Sequence, residues 1–181
     1  MGLLALGVLL WTVAHLFKRL APEARAKLGG VGRGIVTLAI AGSVGLMILG
    51  YQSAETQYFW GPNTGTIILN SILTFLALYL FVASVTKSGI TGKIRHVQLT
   101  AVKSWALGHL LVNGDSAAFV LFGGLLAWAV ISVILINKQD GKPAFSANSS
   151  PVKELLTAVI AVAVYGAVIY LHGMAGYRVY G

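Results

Sequence analysis

Long apolar runs alternate with short polar stretches along the whole chain. Six runs approach the roughly 20 residues that an α-helix needs to cross a bilayer. They cover residues 3–20, 31–51, 66–86, 97–113, 117–136 and 154–172. The first run is short, because Lys18 and Arg19 arrive before a full crossing. The pattern predicts an all-α, polytopic membrane bundle of about six transmembrane helices, forming a single domain over residues 1–181.

The connections between these runs differ in charge. Residues 18–33 carry five basic side chains, whereas residues 51–65 carry Glu55 as their one charged residue. Basic residues also precede the fourth run and lie between the fifth and sixth runs, where residues 138–152 form the one clear linker. Because basic connections mark the cytoplasmic side of a membrane, both termini are expected on the outer side.

Composition narrows the classes of function. Hydrophobic residues make up 57% of the 181 residues and charged residues 10%, which indicates that the lipid bilayer is the main partner. The chain has no cysteine, so disulfides, cysteine-held metal centres and thiol catalysis are excluded. The net charge of +8 does not indicate a nucleic-acid partner, because the basic residues lie between hydrophobic runs.

The fourth run contains three ionisable side chains, His96, Lys103 and His109. Such groups are costly inside a bilayer and usually have a function. At 100° per residue the two histidines face different neighbours, so they are not expected to hold one metal ion from a single helix. The five acidic residues are scattered over connections and run ends, so no catalytic carboxylate pair is indicated.

Histidines on separate helices suit the axial positions of haem. His15 and His109 are the first pair to consider, although they are expected at different depths, and His172 with His109 is the second. For His15, His96 and His172 the alternative is a simple interfacial position at a helix end. Lys103 has either a haem propionate, a carbonyl or a lipid phosphate as its partner, or a structural hydrogen bond.

A family resemblance rests on three stretches: Arg95-His96, the run WALGHLLVNGD at 105–115, and LFGG at 121–124. Together they resemble the signature of the NnrU family. The resemblance implies a multi-pass protein of the bacterial inner (plasma) membrane that supports nitrite or nitric oxide reductase function in denitrification. It makes a respiratory or denitrification complex of the membrane an expected partner.

The same stretches are similar to plant zeta-carotene isomerase, an enzyme that contains haem b. This similarity implies haem b as the cofactor and maps the ligand histidines of that enzyme onto His15 and His109. The chain departs from the isomerase at Ala106, where the enzyme has a cysteine that can exchange as an iron ligand. Ligand exchange to a thiolate is therefore excluded, whereas haem binding through two histidines stays open.

Three functions remain open at this point. The first is a haem-binding protein of the NnrU type that supports denitrification. The second is a haem-dependent isomerase of carotenoids or other lipids. The third is a structural accessory subunit of a larger respiratory or photosynthetic membrane complex, for which close packing at Gly123-Gly124 is suitable. Whether the chain is an enzyme is not decided by the sequence.

Overall fold

Helices form nearly all of the described chain, and they follow the apolar runs. The structure, a computed structural model, describes residues 1–141 and 149–177. Within these ranges the helices are α1 (Gly2–Leu20), α2 (Pro22–Lys27), α3 (Val31–Gln52), α4 (Thr64–Thr86), α5 (Val97–Val112), α6 (Ser116–Asp140) and α7 (Pro151–Met174). The all-α prediction is confirmed. Most of the predicted linker, at residues 142–148, lies outside the described residues.

Five of these helices are long and apolar enough to cross a membrane: α1, α3, α4, α6 and α7. The fourth predicted span corresponds to α5, which has 16 residues. At 1.5 Å per residue α5 is about 24 Å long, less than the roughly 30 Å of a bilayer core. The described residues therefore contain five candidate spans where the sequence suggested six. The placement of both termini on the outer side stays a prediction.

Glycines allow α1 and α3 to pack closely. A Cβ atom added to Gly50 would lie 2.6 Å from the Cα atom of Leu4, and one added to Gly7 would lie 2.8 Å from the backbone nitrogen of Met47. Such approach requires residues without side chains, as at many helix contacts in membranes. Leu4 and Met47 are buried in a cluster that also contains residues of α6.

Helix α5 lies inside the bundle and packs against α4 and α6. Its buried positions are occupied by small residues, including Ala101, Ala106 and Gly108. A Cβ added to Gly108 would lie 2.8 Å from the side-chain oxygen of Asn70 on α4. Small residues thus bring α5 close to both neighbours, which places the polar side chains of α5 within reach of other helices.

Polar contacts attach α7 to the end of α4. The hydroxyl groups of Thr86 and Thr157 are 2.8 Å apart. The Glu154 carboxylate accepts a hydrogen bond from the Ser88 hydroxyl at 2.8 Å and another from the Gly89 backbone N–H at 2.7 Å. Residues Gly89–Gly92 form a 3₁₀ turn that leads towards α5. These contacts fix the connection between α4 and α5, which carries several of the basic residues.

The opposite end of the bundle contains structure that the apolar pattern did not predict. Two short antiparallel strands, β1 (Tyr58–Trp60) and β2 (Gly114–Asp115), join the connection after α3 to the start of α6. Asp115 accepts a hydrogen bond from the backbone N–H of Ala118 at 2.9 Å and so caps the start of α6. Residues Phe119–Gly123 of α6 form a π-helical turn.

Large apolar side chains cover the outer surface of the bundle. Examples are Leu38 on α3, which is 74% exposed, and Leu155 and Tyr170 on α7. Contiguous apolar surface of this extent is not suited to water and is typical of helices surrounded by lipid. This exposed apolar surface supports the predicted bilayer environment.

Candidate functional site

A cavity of about 760 Å³ lies between α1, α4, α5 and α6, at the end of the bundle where the chain enters α5. Its volume is within the range of small-molecule and cofactor sites. Apolar and aromatic side chains form much of the lining, and basic and polar side chains complete it. The lining includes Trp11, His15, Arg19, Phe81, Ser84, Lys87, Thr91, Arg95, His96, Leu99, Val102, Trp128 and Ser132.

His15 lies between two tryptophans. Its ring centroid is 4.0 Å from that of Trp11 and 4.9 Å from that of Trp128. The His15 Nδ1 atom is 2.9 Å from the backbone oxygen of Trp11. Since a carbonyl oxygen can only accept, Nδ1 carries the proton and Nε2 keeps its lone pair. This is the arrangement that orients a neutral histidine for binding a metal.

His96 lines the same cavity at the start of α5. Its Nε2 atom is 2.8 Å from the side-chain oxygen Oδ1 of Asn137 on α6. If Nε2 donates this hydrogen bond, the lone pair is on Nδ1. His15 and His96 therefore each have one ring nitrogen held by a hydrogen bond and one available nitrogen, on two different helices.

Two buried donors in the cavity wall have no acceptor among the described residues. They are the indole Nε1–H groups of Trp11 and Trp128. Trp128 is only 7% exposed. A buried N–H without a partner costs about 1–3 kcal/mol. The orphaned donors therefore favour an additional occupant of the cavity, either water or a ligand.

Three cationic side chains line the cavity, and one of them is already paired. Arg19 binds Asp140 through two hydrogen bonds of 2.7 and 2.8 Å. Lys87 and Arg95, at the end of α4 and just before α5, have no salt-bridge partner within residues 1–141 and 149–177. The cavity lining thus combines two cations that form no salt bridge among the described residues with several aromatic side chains.

His109 and His172 lie away from this cavity. The His109 ring stacks on Phe122, with centroids 4.6 Å apart and planes 8° apart, and Trp105 packs at 5.3 Å. His172 is the electrostatic neighbour of His109, and its Nδ1 lies 2.8 Å from the backbone oxygen of Val168. Thirteen residues separate His96 from His109, which corresponds to about 20 Å along a helix.

The structure thus places His15 and His96 on the lining of one cavity, and it places His109 and His172 outside that lining. It does not bring His15 to His109, the first pair that the sequence suggested. Lys103 is half-buried on α5 and does not line the cavity. No group of three or more metal-binding side chains occurs in the part of the chain that the structure describes.

Sequence reasoning missed the two tryptophans of the cavity. Trp11 could have been found, because it precedes His15 by four residues and so lies on the same helix face. Trp128 is distant from His15 in the sequence and gives no local signal. Lys87 was interpreted as a topology marker, and Arg95 as a topology marker and as part of the family signature, although both also line the cavity.

A comparison with known families matches residues 3–179, nearly the whole chain, to the family model described as NnrU protein. The chain belongs to the NnrU family. No curated protein and no solved structure matches it. In this NnrU chain the stretches that carried the resemblance divide between two places. Arg95 and His96 line the cavity, whereas Trp105 and His109 pack around Phe122 and are not part of the lining.

Proposed function

We propose that this NnrU protein binds haem b in the cavity of α1, α4, α5 and α6, and that it supports denitrification from the bacterial inner membrane. The haem proposal rests on the position and hydrogen bonding of His15. Its Nδ1 is held by a backbone carbonyl, its Nε2 is available, and it lines a cavity of about 760 Å³. Haem, when bound, supplies one-electron redox chemistry.

The residues around His15 suit a porphyrin. Trp11, Trp128 and Phe81 offer aromatic surface to a flat apolar ring. His96, on another helix of the same cavity, is the second candidate ligand. We therefore assign to His96 the role of second ligand, which was expected of His109, since His109 stacks on Phe122 outside the cavity lining.

The link to denitrification rests on family membership rather than on the geometry of the cavity. Support for nitrite or nitric oxide reductase is the role implied by the NnrU resemblance. By the positive-inside rule, the basic residues at the cavity end of the bundle favour the cytoplasmic side for this end. The isomerase and accessory-subunit alternatives stay predictions, and no feature of the cavity favours either one.

The haem proposal is tested by purifying the full chain from haem-replete cells in mild detergent. We expect a Soret absorption band and about one haem b per chain, measured after extraction as the pyridine complex. His15→Ala is expected to lose the haem, whereas His172→Ala, a matched change outside the cavity, is expected to retain it. A protein that folds as a uniform species but contains and takes up no haem would refute the proposal.

The denitrification role needs a separate test in the organism. A strain without this gene is expected to consume nitrite or nitric oxide more slowly under denitrifying conditions, and the wild-type gene is expected to restore the rate. Restoration by His172→Ala but not by His15→Ala would connect the role to the cavity. An unchanged rate of consumption of both compounds in the deletion strain would contradict the role.

A further inference from the structure

Two cationic side chains of the cavity lining, Lys87 and Arg95, form no salt bridge within the described residues. They support a more specific inference, which rests on the proposed haem function. Arg95 is half-buried beside the cavity, and Lys87 lies at the end of α4 on the same lining. Both come from the segment that joins α4 to α5 and contains the 3₁₀ turn. Cations on the lining of a cavity require anionic partners or water. The acidic side chains near this segment are the first candidates for such partners.

The acidic groups near this segment already have partners. Asp140 forms two hydrogen bonds with Arg19. Glu154 accepts hydrogen bonds from Ser88 and Gly89. Arg95 is close enough to Asp140 to interact with its charge but forms no hydrogen bond with it within the described residues. Arg95 and Lys87 are therefore the cations that are free to bind an anionic group of a ligand.

We propose that Arg95 and Lys87 bind the carboxylates of an amphiphilic ligand in this cavity. These carboxylates are the two propionates of haem, and their binding sets the orientation of the haem ring. The aromatic part of the lining, with His15, contacts the apolar body of the ligand. Arginine suits this task because its planar guanidinium can donate two parallel hydrogen bonds to one carboxylate.

The test compares haem b with its dimethyl ester, in which both propionates are uncharged. Haem-free full-length protein in detergent is titrated with each compound, and binding is followed by the Soret band. We expect haem b to bind about tenfold more tightly than the ester, which corresponds to about 1.4 kcal/mol. Arg95→Gln is expected to weaken haem b binding and to leave ester binding unchanged. The ratio of the affinity for haem b to the affinity for the ester therefore falls towards one.

Lys93→Gln is the matched control, because Lys93 has the same charge as Lys87, lies in the same segment and is absent from the cavity lining. Its preference for haem b is expected to equal that of the wild type. Equal affinity of the wild type for both compounds would overturn this inference while leaving haem binding intact. Absence of binding by either compound would instead refute the proposed function itself.

The same titration distinguishes haem from a lipid as the source of the carboxylate or other anion. Vesicles of anionic phosphatidylglycerol are added to protein that is already loaded with haem b. We expect the haem b spectrum and the preference over the ester to be unchanged. Displacement of haem by these vesicles, but not by vesicles of neutral phosphatidylcholine, would assign the cations to a lipid headgroup and overturn the inference.

Discussion

The contact of α1 with α3 offers a quantitative test of the fold, through Gly50→Ala. A Cβ atom at this position would lie 2.6 Å from the Cα atom of Leu4, whereas ordinary contacts begin at 3.4 Å. The backbone nitrogen of Leu4 lies closer still, so the two helices must separate by at least about 0.8 Å, and the obstacle is backbone, which cannot rotate away. Overpacking of this kind typically costs about 1–3 kcal/mol. For a chain of this size each kcal/mol lowers the unfolding midpoint by about 2–4 °C.

The assay is thermal unfolding of the full chain in mild detergent, followed by the loss of the monodisperse peak in size-exclusion chromatography. Gly45→Ala is the matched control, because a Cβ at Gly45 on the same helix α3 would have no atom within 4 Å. We expect a midpoint about 2–12 °C below that of the wild type for Gly50→Ala, and an unchanged or higher midpoint for Gly45→Ala. Equal midpoints for the two variants would refute the close approach of α1 and α3.

Three further substitutions probe individual contacts with the same assay. Asp115→Ala removes the N-cap of α6 and is expected to cost about 1 kcal/mol, whereas Asp115→Asn keeps an acceptor and is expected to cost less. Thr157→Val removes the hydroxyl contact with Thr86 and is expected to cost about 0.6 kcal/mol, with Thr157→Ser as the control; equal loss in both would contradict the role of this hydroxyl. Asp140→Asn breaks the ion pair with Arg19, but this pair is largely exposed, so we expect a midpoint change of less than about 2 °C.

Much of the fold follows from the sequence because each span is a local property. Long apolar runs must form helices in a bilayer, since every backbone N–H and C=O group needs a partner within the segment. The length of α5 shows the limit of this reasoning. Residues 97–113 are apolar enough to suggest a sixth span, but the helix extends from Val97 to Val112 and lies inside the bundle. The burial of α5 depends on small residues that allow close packing against the neighbouring helices. The hydropathy of the sequence does not indicate this packing.

The candidate site was less predictable, because it depends on which helix ends lie together. His15 and His96 were both among the candidate residues that the sequence indicated. Their pairing in one cavity follows from the tertiary arrangement of α1 and α5, which no spacing in the sequence reports. The predicted depth difference between His15 and His109 was the one available warning against that pair. This difference in depth corresponds to the separation of about 20 Å along a helix between His96, which lines the same cavity as His15, and His109.

The most direct test of the account is the absorption spectrum of the purified protein, oxidised and reduced, compared across single alanine variants of His15, His96 and His109. We predict a low-spin haem b spectrum in the wild type and its loss in His15→Ala. We predict a high-spin spectrum in His96→Ala and an unchanged spectrum in His109→Ala. Loss of haem in His109→Ala, together with an unchanged spectrum in His96→Ala, would contradict the placement of haem in this cavity.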